Sequence, residues 1–359
     1  KLVRSNSNSN RSCNSCNSNS SSSSNVPVSI LISSPELVHA QHVQKLGKTT
    51  PIVSPASTRR SSVGNTIESL ENLAPPLPPF EDVKMVSLVG RGSFGRVYLA
   101  RWDVSTVALK VVKSYDQEKP SLMAFEGKLS SSLTHPNLVQ TFKYAVRDIV
   151  PAAHSNALRG FELWIVQEWC NLGSLTPKIA SGEIMQNGGF REVTEVAAEI
   201  ASAANYLHCR SIIHGDLTPS NVLLTERRCP KGYICKVSDF GLARVLDSGA
   251  SGIDTATMGT VAYMPPELFQ LEGCALTKKV DVYAFGVILW QLCSSSLPFD
   301  GLQPTQVVVM VAQGASLELP DNVPEDLSAT FRAAVSRQPA ERPHFSQIVQ
   351  DLLKIMNLR

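Results

Sequence analysis

The chain has 359 residues, 43% of them apolar and 18% charged, and its 33 Lys and Arg nearly balance its 31 Asp and Glu. A net charge of +2 supplies no field that would gather nucleic acid or an anionic membrane, so neither is expected as the main partner. The most apolar stretches, 280–292 and 306–312, fall short of the ~20 residues that a bilayer-spanning helix needs. Eight scattered cysteines make no disulfide framework and point to a reducing, cytoplasmic (cytosolic) setting. The chain opens at Lys1 with no signal-peptide pattern and reads as a fragment; an anchor further upstream would place it on the cytosolic side of a membrane.

Of the first 25 residues, 18 are Ser or Asn. Such a tract buries too little to offset its ordering entropy, and a disordered Ser/Asn/Pro-rich segment is expected over 1–79. Cys13 and Cys16 lie in it without a second pair of ligands nearby, so no zinc site is expected. Pro75, Pro76, Pro78 and Pro79 read as a polyproline II spacer that an SH3-like or WW-like partner would fit. The folded part is expected to start near Phe80. Alternating apolar and polar residues then predict strands over 84–89, 96–102 and 106–112, joined by short connections into an antiparallel meander. A helix opened by Ser121 is expected over 121–133, and another strand over 161–168. Beyond Gly173 the pattern is mainly helical. Val196, Ile200, Ala203 and Leu207 mark one buried face of a helix over 193–208, and 280–292 is apolar nearly all round, as in a helix at the centre of a domain. Strands first and helices afterwards imply an α+β fold with two unequal lobes.

Gly90, Gly92 and Gly95 form a Gly-x-Gly-x-x-Gly run that is followed by a strand, not by the helix of a dinucleotide-binding fold. Glycines between two strands let backbone N–H groups approach phosphates, although a plain hairpin turn has the same composition. Lys110 stands within the apolar strand Val107-Ala108-Leu109-Lys110-Val111 and needs an acidic partner, for which Glu126 on the following helix is a candidate. An ordinary surface pair would read the same way.

His214-Gly215-Asp216, Asn221, Asp239-Phe240-Gly241 and Pro265-Pro266-Glu267 follow in that order. Together with the glycine run, Ala108-x-Lys110 and Glu126, this set resembles the eukaryotic protein kinases, and most of all their tyrosine-kinase-like serine/threonine branch, the Raf-like and mixed-lineage kinases. The resemblance implies a bilobal domain over 80–355, with a small β lobe and hinge over 80–170 and a mainly helical lobe over 171–355. It implies transfer of the γ-phosphate of ATP, with Mg²⁺, to Ser/Thr hydroxyls of protein substrates. By motif position, Asp216 would be the catalytic base, Lys110 would hold the α- and β-phosphates, and Glu126 would fix Lys110. Asn221 and Asp239 would ligate Mg²⁺. Val89, Gly90, Gly92, Gly95, Val97, Ala108 and Leu223 would surround the nucleotide. Glu168 to Cys170 would form the hinge that pairs with adenine, and Gln167 the gatekeeper behind it. His214 is expected to pack on Phe240. Asp281 would hold backbone N–H groups of the catalytic loop, and Glu267 and Arg342 would form a buried ion pair. His208 and Cys209 are expected to pack a helix end.

Two positions depart from the pattern. Gly215 replaces the Arg that gathers an activation-loop phosphate, and Thr218 replaces the Lys that neutralises the transferred phosphate. An alternative reading favoured by these two is a pseudokinase-like nucleotide-binding scaffold with weak or no phosphotransfer.

Overall fold

The computed structural model describes residues 78–92, 95–115, 120–149, 160–239, 244–245, 261–269 and 276–358. The expectations for the Ser/Asn tract, Cys13, Cys16, Pro75, Pro76 and Phe240 lie outside the described residues.

Strands β1 (Val83–Gly92), β2 (Gly95–Trp102), β3 (Ser105–Ser114), β4 (Thr141–Ile149) and β5 (Gly160–Glu168) form one antiparallel sheet in the order β1-β2-β3-β5-β4. The first three are the expected meander. β4, to which the sequence reading assigned no strand, closes the far edge. Strand periodicity sorts the side chains of β3: Leu109 and Val111 enter a core with Trp164 and Val166, whereas Lys110 and Val112 face the other way. That second face carries α1 (Pro120–Ser132), whose Met123 packs with Leu163 and Ile165. The helix begins at Pro120, so Ser121 lies in its first turn and does not precede it. Proline is suited to that place because its φ is preset and its missing N–H has no intrahelical acceptor there. Lys110 and the Glu126 helix are therefore on the same side of the sheet.

The larger lobe contains α2 (Leu175–Ala180), α3 (Glu183–Asn187), α4 (Gly189–Cys209), α5 (Lys279–Ser294), α6 (Pro304–Gln313), α7 (Glu325–Ala334) and α8 (Phe345–Leu358). It also contains the short pairs β6 (Ile212–Ile213) with β9 (Arg244–Val245) and β7 (Val222–Glu226) with β8 (Tyr233–Val237). Val196, Ile200, Ala203 and Leu207 form the buried face of α4, as their spacing predicts, and every residue of α5 from Val280 to Cys293 is buried. Both helices share one core with Phe331, Phe345 and Leu352.

Arg342 is fully buried and forks onto Glu267, with Nη1 to Oε1 at 2.6 Å and Nη2 to Oε2 at 2.8 Å. Its Nε also donates to the carbonyl of Ser336 at 2.8 Å. Arg342→Met would leave the Glu267 carboxylate buried without its counter-charge, a loss of about 3–5 kcal/mol. Denaturant unfolding measures it, and a loss below ~1 kcal/mol would mean that solvent screens the pair.

Candidate active site

The site grows from one buried acid. Asp281, 1% exposed in the first turn of α5, accepts the backbone N–H of His214 at 2.8 Å and that of Gly215 at 2.9 Å. His208 Nε2, at the end of α4, lies 2.7 Å from the same carboxylate. Burial opposes ionisation of Asp281, but His208, His214 and the Gly215 N–H outweigh it and hold its pKa below the ordinary carboxylate value. His208 thus serves more than helix-end packing, although its ring also meets Phe345 edge-on. Gly215 takes a left-handed φ of 80°, and the loop then turns into Asp216. His214 sends Nε2 to within 2.9 Å of the Ser238 carbonyl and accepts the Asp216 N–H at Nδ1.

Asn221 donates Nδ2 to both the carbonyl (2.8 Å) and Oδ2 (2.9 Å) of Asp216. Its own carbonyl accepts the N–H of Ser238 at 2.8 Å, one residue before Asp239. Asp239, with φ of 66°, is in direct ionic contact with Lys110 from the other lobe. Asp216 and Asn221 of one loop, Asp239 and Lys110 thereby meet from three segments. Burial opposes the charge of Lys110, yet the carboxylates of Asp239 and Glu126 prevail and raise its pKa. Burial pushes Glu126 up against the pull of Lys110. Asp216 is pushed up to about 6, by burial first and by the nearby charge of Asp239, while His214 and Asn221 oppose the shift.

The glycine run is the β1–β2 hairpin itself: Gly90 pairs with Val97 and Gly92 with Gly95. Gly95 has φ of 125°, and a Cβ there would stand 2.0 Å from the Val111 carbonyl oxygen, so no other residue fits. Val89, half-exposed, is in the same strand. Val97 pairs with Lys110, and Ala108 pairs with Gln167. Beyond Cys170, Leu224 donates its N–H to the Gly173 carbonyl at 2.8 Å, and Leu223 bridges to Ser174 in the segment that follows. Cys170 is buried, and burial raises its thiol pKa. The N–H of Glu168 is already given to Gln140, at 2.8 Å. Lys236, which the sequence reading passed over, binds the Glu168 carboxylate at 3.0 Å and the Pro136 carbonyl at 2.9 Å. A lysine inside the apolar strand β8 is the signal that singled out Lys110, and it would have found this one too.

Among the described residues no three His, Cys, Asp or Glu side chains gather as a metal cage. The donors offered are the Asp239 carboxylate and the Asn221 amide oxygen, whose nitrogen is spent on Asp216. A carboxylate and an amide oxygen, with no thiolate or imidazole beside them, suit Mg²⁺, which takes oxygen ligands and keeps several waters, better than Zn²⁺. No described helix is long and apolar enough to cross a membrane.

Residues 83–352 match the model of the protein tyrosine and serine/threonine kinase family. Serine/threonine-protein kinase CTR1 of Arabidopsis thaliana is 34% identical over 77% of this chain and 32% of its own length. Mitogen-activated protein kinase kinase kinase 12 of Rattus norvegicus is 30% identical over 76% of this chain and 28% of its own. Tyrosine-protein kinase SRK3 of Spongilla lacustris is 30% identical over 74% of both. The chain thus spans about a third or less of the first two relatives. With the family model covering most of the chain and the family's motifs converging on one cleft, the chain belongs to the protein tyrosine and serine/threonine kinase family.

Proposed function

We propose that the domain is an ATP-dependent protein serine/threonine kinase that acts on hydroxyls of protein substrates. What carries the reading is the convergence of Lys110, Asp239, Asp216 and Asn221 from both lobes on one space. The name of CTR1, a serine/threonine-protein kinase, favours serine and threonine as acceptors.

Phosphoryl transfer asks a protein for position and counter-charge more than for covalent help. Lys110, its ammonium kept charged by two acids, would pair with the α- and β-phosphates. The hairpin glycines would offer N–H groups to the phosphates. Adenine would be read by backbone groups between Glu168 and Cys170 other than the Glu168 N–H, which Gln140 holds. Asp239 and Asn221 would ligate Mg²⁺, which when bound neutralises charge on the phosphates. Asp216 would orient the acceptor hydroxyl and take its proton, and a pKa near 6 suits a base that works near neutrality. Thr218 is buried and uncharged, so the transferred phosphate lacks one cation there.

Asp216→Ala should lower radiolabel transfer from ATP to a basic protein by ~10²-fold or more. Equal, background-level transfer by both proteins would favour the scaffold reading instead. The base must be ionised, so kcat/KM should fall as pH drops through about 6. A pH–rate profile with its acid limb near the ordinary aspartate value would mean that burial does not tune this group. Ser251, Thr255 and Thr257 lie outside the described residues. With Gly215 unable to pair a phosphate, replacing all three by Ala should leave turnover intact. Abolished turnover would show that another cation takes the missing one's part.

A further inference from the structure

The large lobe has a cavity of about 130 Å³ that the chemistry above leaves unused. It opens where α5, the end of α6 and the residues after α7 come together, against Pro266 next to the buried Glu267. Val287, Val311, Leu317 and Val335 complete an aliphatic wall with Pro266. The size is near the ~150 Å³ of an apolar cavity that holds benzene, so a branched or cyclic group of that bulk fits inside.

Two polar groups interrupt that wall. Tyr283 of α5 lines the cavity at 6% exposure, and its hydroxyl has no hydrogen-bond partner among the described residues. A hydroxyl at that depth is costly to leave unpaired. Burial, with the charge of Glu267, pushes its pKa up to about 12 against the pull of Arg342, so it stays a neutral O–H donor. Arg337 is exposed and also lines the cavity; it folds over the end of α6, where Nη2 donates to the Ala312 carbonyl at 3.1 Å. A guanidinium carries more N–H donors than that one bond uses, and among the described residues no carboxylate pairs with this one. The chain carries no charge from Leu302 to Leu317, and none of the described lining residues is an acid.

We propose that this cavity binds a small monocarboxylate, its branched or cyclic tail of about five carbons against the aliphatic wall and its head on Arg337 and Tyr283. Each part of the ligand answers one part of the lining. A wholly apolar guest would leave the hydroxyl unpaired, and a cation would meet the guanidinium with its own sign. Water would satisfy the hydroxyl but not the aliphatic wall. None of the lining residues is among those that meet in the cleft, so the site does not depend on the kinase reading.

Isocaproate is the probe, titrated onto the full chain and followed by ligand-observed NMR and by the thermal unfolding midpoint. Binding should saturate, and the midpoint should rise with concentration, because only the folded chain has the cavity. Isocaproamide keeps the shape without the charge and should bind ~10-fold more weakly. Acetate, which lacks the tail, should bind more weakly still. Arg337→Gln changes an exposed side chain and should bring the acid down to the affinity of the amide while leaving the amide unaffected. Tyr283→Phe should weaken both ligands, since the hydroxyl donates to an oxygen that each of them has. Equal affinities for acid and amide, or an affinity for the acid that neither substitution moves, would overturn the proposal. So would the absence of saturable binding by the native chain, which would make the cavity a packing void.

Discussion

A carboxylate withdrawn from water must be supplied with donors, or it takes a proton and ceases to organise anything. Asp281 sits inside a helix buried on every side, and it is ionised because His208 and two consecutive backbone N–H groups converge on it. Those N–H groups belong to His214 and Gly215, so the loop that presents Asp216 is hung from the centre of the large lobe and not from its surface. Every later contact inherits that placement. Asn221 reaches back to Asp216, Ser238 is held between His214 and Asn221, and Asp239 follows where Lys110 meets it.

The small lobe solves a different problem, that of keeping an ammonium charged while it is buried. A lysine alone in that strand would lose its proton or leave the interior. Two carboxylates prevent this, one from the lobe across the cleft and one from α1. Because burial raises the pKa of Glu126, its carboxylate ionises less readily than a solvated one, and the nearby Lys110 ammonium opposes that shift. The two lobes are braced behind the cleft as well, where Lys236 of β8 ties Glu168, at the end of β5, to the loop at Pro136.

The legible parts of this architecture were those with a strong period or a forced composition. The buried faces of α4 and α5 could be read because a helix in a core shows its apolar spacing directly. Lys110 could be read because a charge in an apolar strand is an anomaly. β4 escaped because it is an edge strand whose residues are nearly all half-buried, with Lys143 and Arg147 interrupting Phe142, Tyr144 and Val146. The β7–β8 hairpin was absorbed into a lobe that reads as helical. Ser130 gave no signal, since it opens a run of three serines at a helix end, a composition that ordinarily belongs to solvent. Ser130 is nonetheless 3% exposed, and the burial of Thr141 follows from the register of β4 on β5, which no local pattern encodes. At the site, the motif order indicated which side chains matter, while the donation from His208 to Asp281 and the commitment of the Glu168 N–H came only from the folded geometry.

Gly215 shows how backbone shape and charge are tied together at one position. Its φ of 80° lies where a side-chain-bearing residue is strained, so glycine relaxes the loop at the same stroke that it deletes a cation. An arginine there would impose that strain, roughly 1–2 kcal/mol, at once. The compensating attraction would arrive only after a second protein had attached a phosphate within reach. An arginine's cost at this position would be immediate and its return conditional, whereas glycine leaves the loop relaxed whether or not a phosphate is present.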